Sequence, residues 1–127
     1  MQRQNFEGLE SQIDNQLTAV KFVRRKISHI PCSFEDRIYI YYIEFGGAIG
    51  ATEMINEEGY RIPSKTGGRK YVTSDITLII RSNKNNDLID PALRYVVTEM
   101  ISRKNGYIKF LTLLLKVAFE AYEKFGD

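Results

Sequence analysis

Arg37-Ile38-Tyr39-Ile40-Tyr41-Tyr42-Ile43-Glu44-Phe45 is the stretch on which the fold turns. Apart from Arg37 and Glu44, every residue in it is Ile, Tyr or Phe, types that are enriched in strands because they pack well on a pleated surface. At a period of two, Ile38, Ile40 and Tyr42 point one way, and Tyr39, Tyr41, Ile43 and Phe45 point the other. The stretch is therefore expected to be a strand buried on both faces, the mark of a central strand in a sheet covered twice.

The residues that follow fit a sheet read in this way. Gly46-Gly47-Ala48-Ile49-Gly50-Ala51 invites comparison with the dinucleotide-binding pattern G-x-G-x-x-G, but Phe45 stands where the first glycine is needed. The next segment, Thr52–Gly59, is too short for a crossover helix. A tight turn or bulge with close backbone approach is expected there instead. Asn56-Glu57-Glu58-Gly59 reads as a hairpin turn joining short strands near 53–55 and 60–62. Then comes a basic loop carrying Arg61, Lys65, Arg69 and Lys70 with no acid among them, flanked by Tyr60 and Tyr71. It lacks the residue order of a P-loop. Lys70 to Ser82 is expected to be the longest strand, with Val72, Ile76, Leu78 and Ile80 on its core face and Tyr71, Thr73, Asp75, Thr77 and Ile79 on the other.

Helices bracket this segment. Phe6, Leu9, Ile13, Leu17, Val20 and Ile27 repeat at helical spacing, so a first helix is expected from about Asn5 to Ser28, its firm part starting near Ser11 with a Ser11–Asp14 capping box. Lys21, Arg24, Arg25 and Lys26 crowd its last turns, where cations suit the helix dipole. Asp90 and Pro91 announce a second helix as N-cap and first helical residue, with Leu93, Val96, Val97, Met100 and Ile101 inward. Asn105-Gly106 is expected to stop it in a left-handed cap. From Tyr107 to Phe125, the polar residues Lys109, Thr112, Lys116, Glu120 and Glu123 fall on one stripe, and most of the remaining circumference is apolar. This is too interrupted by charge to span a membrane. The expected architecture is α+β in the order α-β-β-β-β-α-α: an N-terminal helix, a four-stranded, mainly antiparallel meander sheet, and a C-terminal antiparallel helix hairpin, forming one domain over residues 1–127.

Function is bounded more than named. With 127 residues, 43% hydrophobic and 27% charged, the composition is that of a folded protein. A net charge of +2 is too small to demand a polyanionic partner. The single cysteine, Cys32, excludes an intrachain disulfide and a cysteine-pair zinc site. Met1–Glu7 has no apolar core of a signal peptide, so a cytoplasmic or otherwise intracellular setting is expected, the virion included. His29 and Cys32 flank Pro31 without a third group to orient them, and among the scattered acids a sheet could bring Glu44 near Asp75 for acid–base work. No catalytic residue, metal, cofactor or small-molecule substrate is expected.

The surplus of apolar and aromatic residues suggests burial against another protein. The expectation is a non-catalytic assembly subunit making homo- or hetero-oligomeric contacts, an adaptor or ring-type component of a larger complex such as a viral or mobile-element one. The candidate interface residues are Tyr39, Tyr41, Tyr71, Phe119, Tyr122 and Phe125. The alternative is a nucleic-acid-binding module contacting phosphate through Arg61, Lys65, Arg69 and Lys70, with Arg24 and Arg25 in support.

Overall fold

The computed structural model describes residues 5–126. Its elements are α1 (Phe6–Lys26), α2 (Phe34–Glu44), α3 (Ala48–Glu57), β1 (Ile62–Ser64), β2 (Gly67–Arg69), α4 (Thr73–Ser82), α5 (Pro91–Arg103) and α6 (Phe110–Phe125). The expected four-stranded meander is overturned. The chain is mostly helical, and its only sheet among the described residues is the antiparallel pair β1–β2, with Ile62 opposite Arg69 and Ser64 opposite Gly67.

The stretch expected to be the central strand is the central helix. α2 starts at Ser33, whose hydroxyl accepts the Asp36 amide at 3.0 Å, with Glu35 and Asp36 in the first turn where acids suit the helix dipole. Its buried positions are Ile38, Tyr39, Ile40, Tyr42 and Ile43, together with Asp36, because α3, α4 and α5 all pack on it. A helix apolar on most sides belongs in a core, and here that environment prevails over the strand preference of Ile and Tyr. The supposed long strand is likewise a helix. Ile76 and Ile80, one turn apart, are fully buried in α4, whereas Leu78 between them is 65% exposed. A strand would have put all three on one face.

The glycine cluster turns α2 into α3. Gly46 and Gly47 have φ of 87° and 110°, a region that side chains disfavour, and the Gly47 amide donates to the Tyr42 carbonyl at 2.8 Å. The expectation of a tight turn with close backbone approach fits this geometry, but the hairpin turn at 56–59 does not: it is the end of α3, sealed by the Gly59 amide donating to the Asn56 carbonyl.

The bracketing helices fall close to their expected places. α1 starts earlier than Ser11, because the Asn5 side chain caps it by accepting the Gly8 amide at 2.7 Å. Asp90 caps α5 through the Ala92 and Leu93 amides, with Pro91 at the first position. Gly106 is not in the left-handed region. The Asn105 side chain instead ends the link by accepting the Tyr107 and Ile108 amides. α6 returns antiparallel along α5, with Tyr95 against Phe125 and Arg103 ion-paired to Glu120. The core draws on all six helices, with Tyr39 and Tyr42 its largest fully buried side chains.

Candidate interaction surface

Only the C-terminal half of α1 enters the core, through Ala19, Phe22 and Val23. The earlier turns approach α6 with a small and polar side. Gly8, Ser11, Gln12 and Asn15 face Leu115, Lys116 and Phe119 across an open groove of about 1090 Å³. At 100° per residue the apolar stripe of α1 is centred roughly two-fifths of a turn away from those four residues. It points outward: Phe6 is 73% exposed, Leu9 50%, Ile13 52%, Leu17 49% and Val20 48%. An amphipathic helix normally turns such a stripe to its own core. Among the described residues nothing buries this stripe, although Leu9 at its edge also lines the groove, and it forms an apolar seam along about four turns. The 3.6-residue repeat was legible in the sequence, but its outward direction was not.

Of the aromatic residues expected at an interface, Tyr39 is fully buried, and Tyr41, Tyr71, Tyr122 and Phe125 are partly buried against the core. The Tyr39 hydroxyl donates to the Ile80 carbonyl at 2.6 Å and is pushed up to about 12 by burial. Tyr41 accepts a hydrogen bond from Arg37 and lies edge-on to Phe45. Tyr71 is half-buried, stacked at a tilt on Phe34, its acidity weakened mainly by burial and then by Asp75. Tyr122 meets Phe22 edge to face, and Phe125 meets Tyr95. Phe119 remains 39% exposed in the groove between α1 and α6. Tyr39 and Tyr41 lie on α2 and Tyr71 in the segment before α4, so among the described residues they share no sheet face.

The basic loop is the β1–β2 hairpin and its flanks, and its four cations are not equivalent. Arg69 is held by Asp75 through two hydrogen bonds of 3.0 and 3.1 Å. This contact, with the Val72 amide, lowers the Asp75 carboxyl. Arg61 donates to the Asn56 and Tyr60 carbonyls. Lys65 and Lys70 are exposed and make no ion pair among the described residues. Arg24 is ion-paired to Glu44 at 3.0 Å, and Arg25 lies over the Phe22 ring. α3 carries Glu53 and Glu57 and no basic residue, so it offers phosphate nothing.

The scattered candidates for chemistry separate in the same way. Glu44 and Asp75 are each ion-paired to a different arginine, not to one another. His29 Nε2 lies 2.7 Å from Asp36 Oδ2, which also accepts the Cys32 amide at 3.1 Å. Asp36 is buried and its Oδ1 has no partner among the described residues. The Cys32 thiol is directed to the Leu88 carbonyl. Asp36 thus ties the 29–33 loop to the start of α2, and sequence reasoning gave it no role. No group of three His, Cys, Asp or Glu among the described residues could hold a metal ion. No described helix is long and apolar enough to cross a membrane. Comparison with protein-family models, curated proteins and solved structures gave no match.

Proposed function

We propose that this chain is a non-catalytic assembly subunit, an adaptor or ring-type component of a larger intracellular complex, and that α1 is its contact element. The single observation that carries this is the outward apolar stripe Phe6–Leu9–Ile13–Leu17–Val20. Half-exposed apolar side chains in a continuous row gain about 25 cal/mol for each Å² they remove from water, and among the described residues none buries them. The test replaces Leu9, Ile13 and Leu17 by Gln together. Assembly, read as mass by multi-angle light scattering, should be lost while the circular dichroism spectrum and melting temperature hold. A large drop in stability would place the stripe in the core and end the proposal.

A second reading, nucleic-acid contact by the hairpin, is favoured by one observation: Lys65 in the β1–β2 turn and Lys70 just after β2 are exposed and have no acidic partner among the described residues. It predicts that binding of a single-stranded oligonucleotide weakens with salt at a log–log slope of about −0.7 per phosphate neutralised. Lys65→Gln with Lys70→Gln should remove most of that slope. Salt-independent binding, or none, rules it out.

A further inference from the structure

The stripe on α1 is symmetric about its middle. Phe6 and Val20 stand equally far from Ile13 along the chain, and so do Leu9 and Leu17. We infer that the occupant of this face is α1 of a second copy of the chain, packed antiparallel about a two-fold axis through Ile13. This rests on the assembly proposed above and names its partner. In that arrangement Ile13 meets Ile13, Leu9 meets Leu17, and the large Phe6 meets the smaller Val20. Each apolar residue then lies against another, which is the self-complementarity an isologous interface demands.

Charge selects the same direction. The acids of α1, Glu7, Glu10 and Asp14, lie in its N-terminal half, and Lys21, Arg24, Arg25 and Lys26 lie in its C-terminal half. Only Arg24 and Lys26 have acidic partners within the described chain, Glu44 and Asp90. Antiparallel packing sets the acidic half of one helix beside the basic half of the other, with Lys21 of one copy within one turn of Glu7 of the other. The two helix dipoles also oppose favourably. Parallel packing would set like charges side by side, which costs affinity and disfavours that register.

α1 is also shaped to be a contact element. None of its first ten residues, Phe6 to Asn15, is buried, and an isolated helix of about a dozen residues is marginal in water. A second copy would cover the exposed stripe with little change at the α1–α6 contact, because Leu9 is the one stripe residue that also lines the groove.

The test uses the full chain with Cys32→Ser, so that every thiol is an introduced one. Under mild oxidation at micromolar protein, Ile13→Cys should give a disulfide-linked dimer in high yield. A mixture of Phe6→Cys and Val20→Cys chains should cross-link at least ~10-fold more than either alone, since a facing position is needed for the bond. Without oxidation, light scattering should give twice the chain mass, falling to one chain mass for Leu9→Gln/Ile13→Gln/Leu17→Gln. Preferential self-linking of Phe6→Cys would show a parallel pair and overturn the inference. A monomeric wild type without cross-links overturns it too. In that event, stripe-dependent binding to a protein of different sequence leaves the assembly proposal standing, and its absence removes both.

Discussion

Replacing Gly50 by alanine tests the turn that orients α3 against α2. A glycine inside a helix ordinarily costs about 0.5–1 kcal/mol relative to alanine, so Gly50→Ala in α3 would by propensity alone stabilise the protein. The structure reverses the sign. A Cβ at Gly50 would lie 1.7 Å from the Phe45 carbonyl oxygen and 2.6 Å from its carbon, against roughly 3.3 Å for a tolerated carbon–oxygen approach. That oxygen belongs to the backbone of a turn held by the Phe45 amide on the Tyr41 carbonyl and the Gly47 amide on the Tyr42 carbonyl, so it cannot swing aside as a side chain would. Relief requires the turn to open, at about 1–3 kcal/mol of packing strain and about 1 kcal/mol for a lost hydrogen bond. After the propensity gain is subtracted, a net loss of about 2 kcal/mol is expected. The control is Gly8→Ala in α1, where the new Cβ would meet only the Asn5 side-chain oxygen at 3.3 Å, and a neutral to stabilising effect of up to about 1 kcal/mol is expected. Urea unfolding followed by far-ultraviolet circular dichroism measures both, as midpoints at constant slope. A Gly50→Ala protein as stable as wild type would refute the close approach and, with it, the placement of α3.

Two further outcomes follow from buried and ion-paired groups. Tyr39→Phe removes the hydrogen bond to the Ile80 carbonyl and should cost about 1 kcal/mol; Tyr39→Ala should cost about 3–5 kcal/mol, both without a change of mass in light scattering, whereas an interface tyrosine would shift mass and spare stability. Glu120 is bound chiefly by Arg103, which holds its carboxyl below the usual range; the folded value lies under the unfolded one, so its stabilising contribution is present above about pH 4.3 and is lost as pH falls through the folded value, and Glu120→Gln should flatten that part of a melting-temperature series between neutral and acid pH.

The sequence by itself determined the three helices whose patterns are amphipathic or capped. Phe6–Ile27 repeats at helical spacing, Asp90-Pro91 fixes the start of α5 locally, and the polar stripe from Lys109 to Glu123 marks α6. These signals are properties of neighbouring residues and need no tertiary partner. The segment 37–45 has no such contrast: when nearly every side chain is apolar, a period of two and a period of 3.6 describe it equally well. Ile and Tyr then tip a propensity reading toward a strand, although Ser33 with Asp36, a cap signature, stood just upstream and pointed to a helix. Lys70–Ser82 was misread for a related reason. Its alternating Thr and Ile suit either structure, and only the burial of Ile76 and Ile80 with Leu78 outside separates them.

Site residues divide along the same line. The four cations of 61–70 were visible as a cluster, but their pairing was not, because Asp75 reaches Arg69 only once α4 follows the hairpin. The aromatic residues were visible as surplus, and the fold absorbed most of them around α2 and α6. The apolar row of α1 stayed outside, and its residues are plain in the sequence. Only the packing of Ala19, Phe22 and Val23, on another side of the same helix, decided that this face points to solvent. A helix can bury one side against its own chain, and α1 commits the side that carries Ala19, Phe22 and Val23.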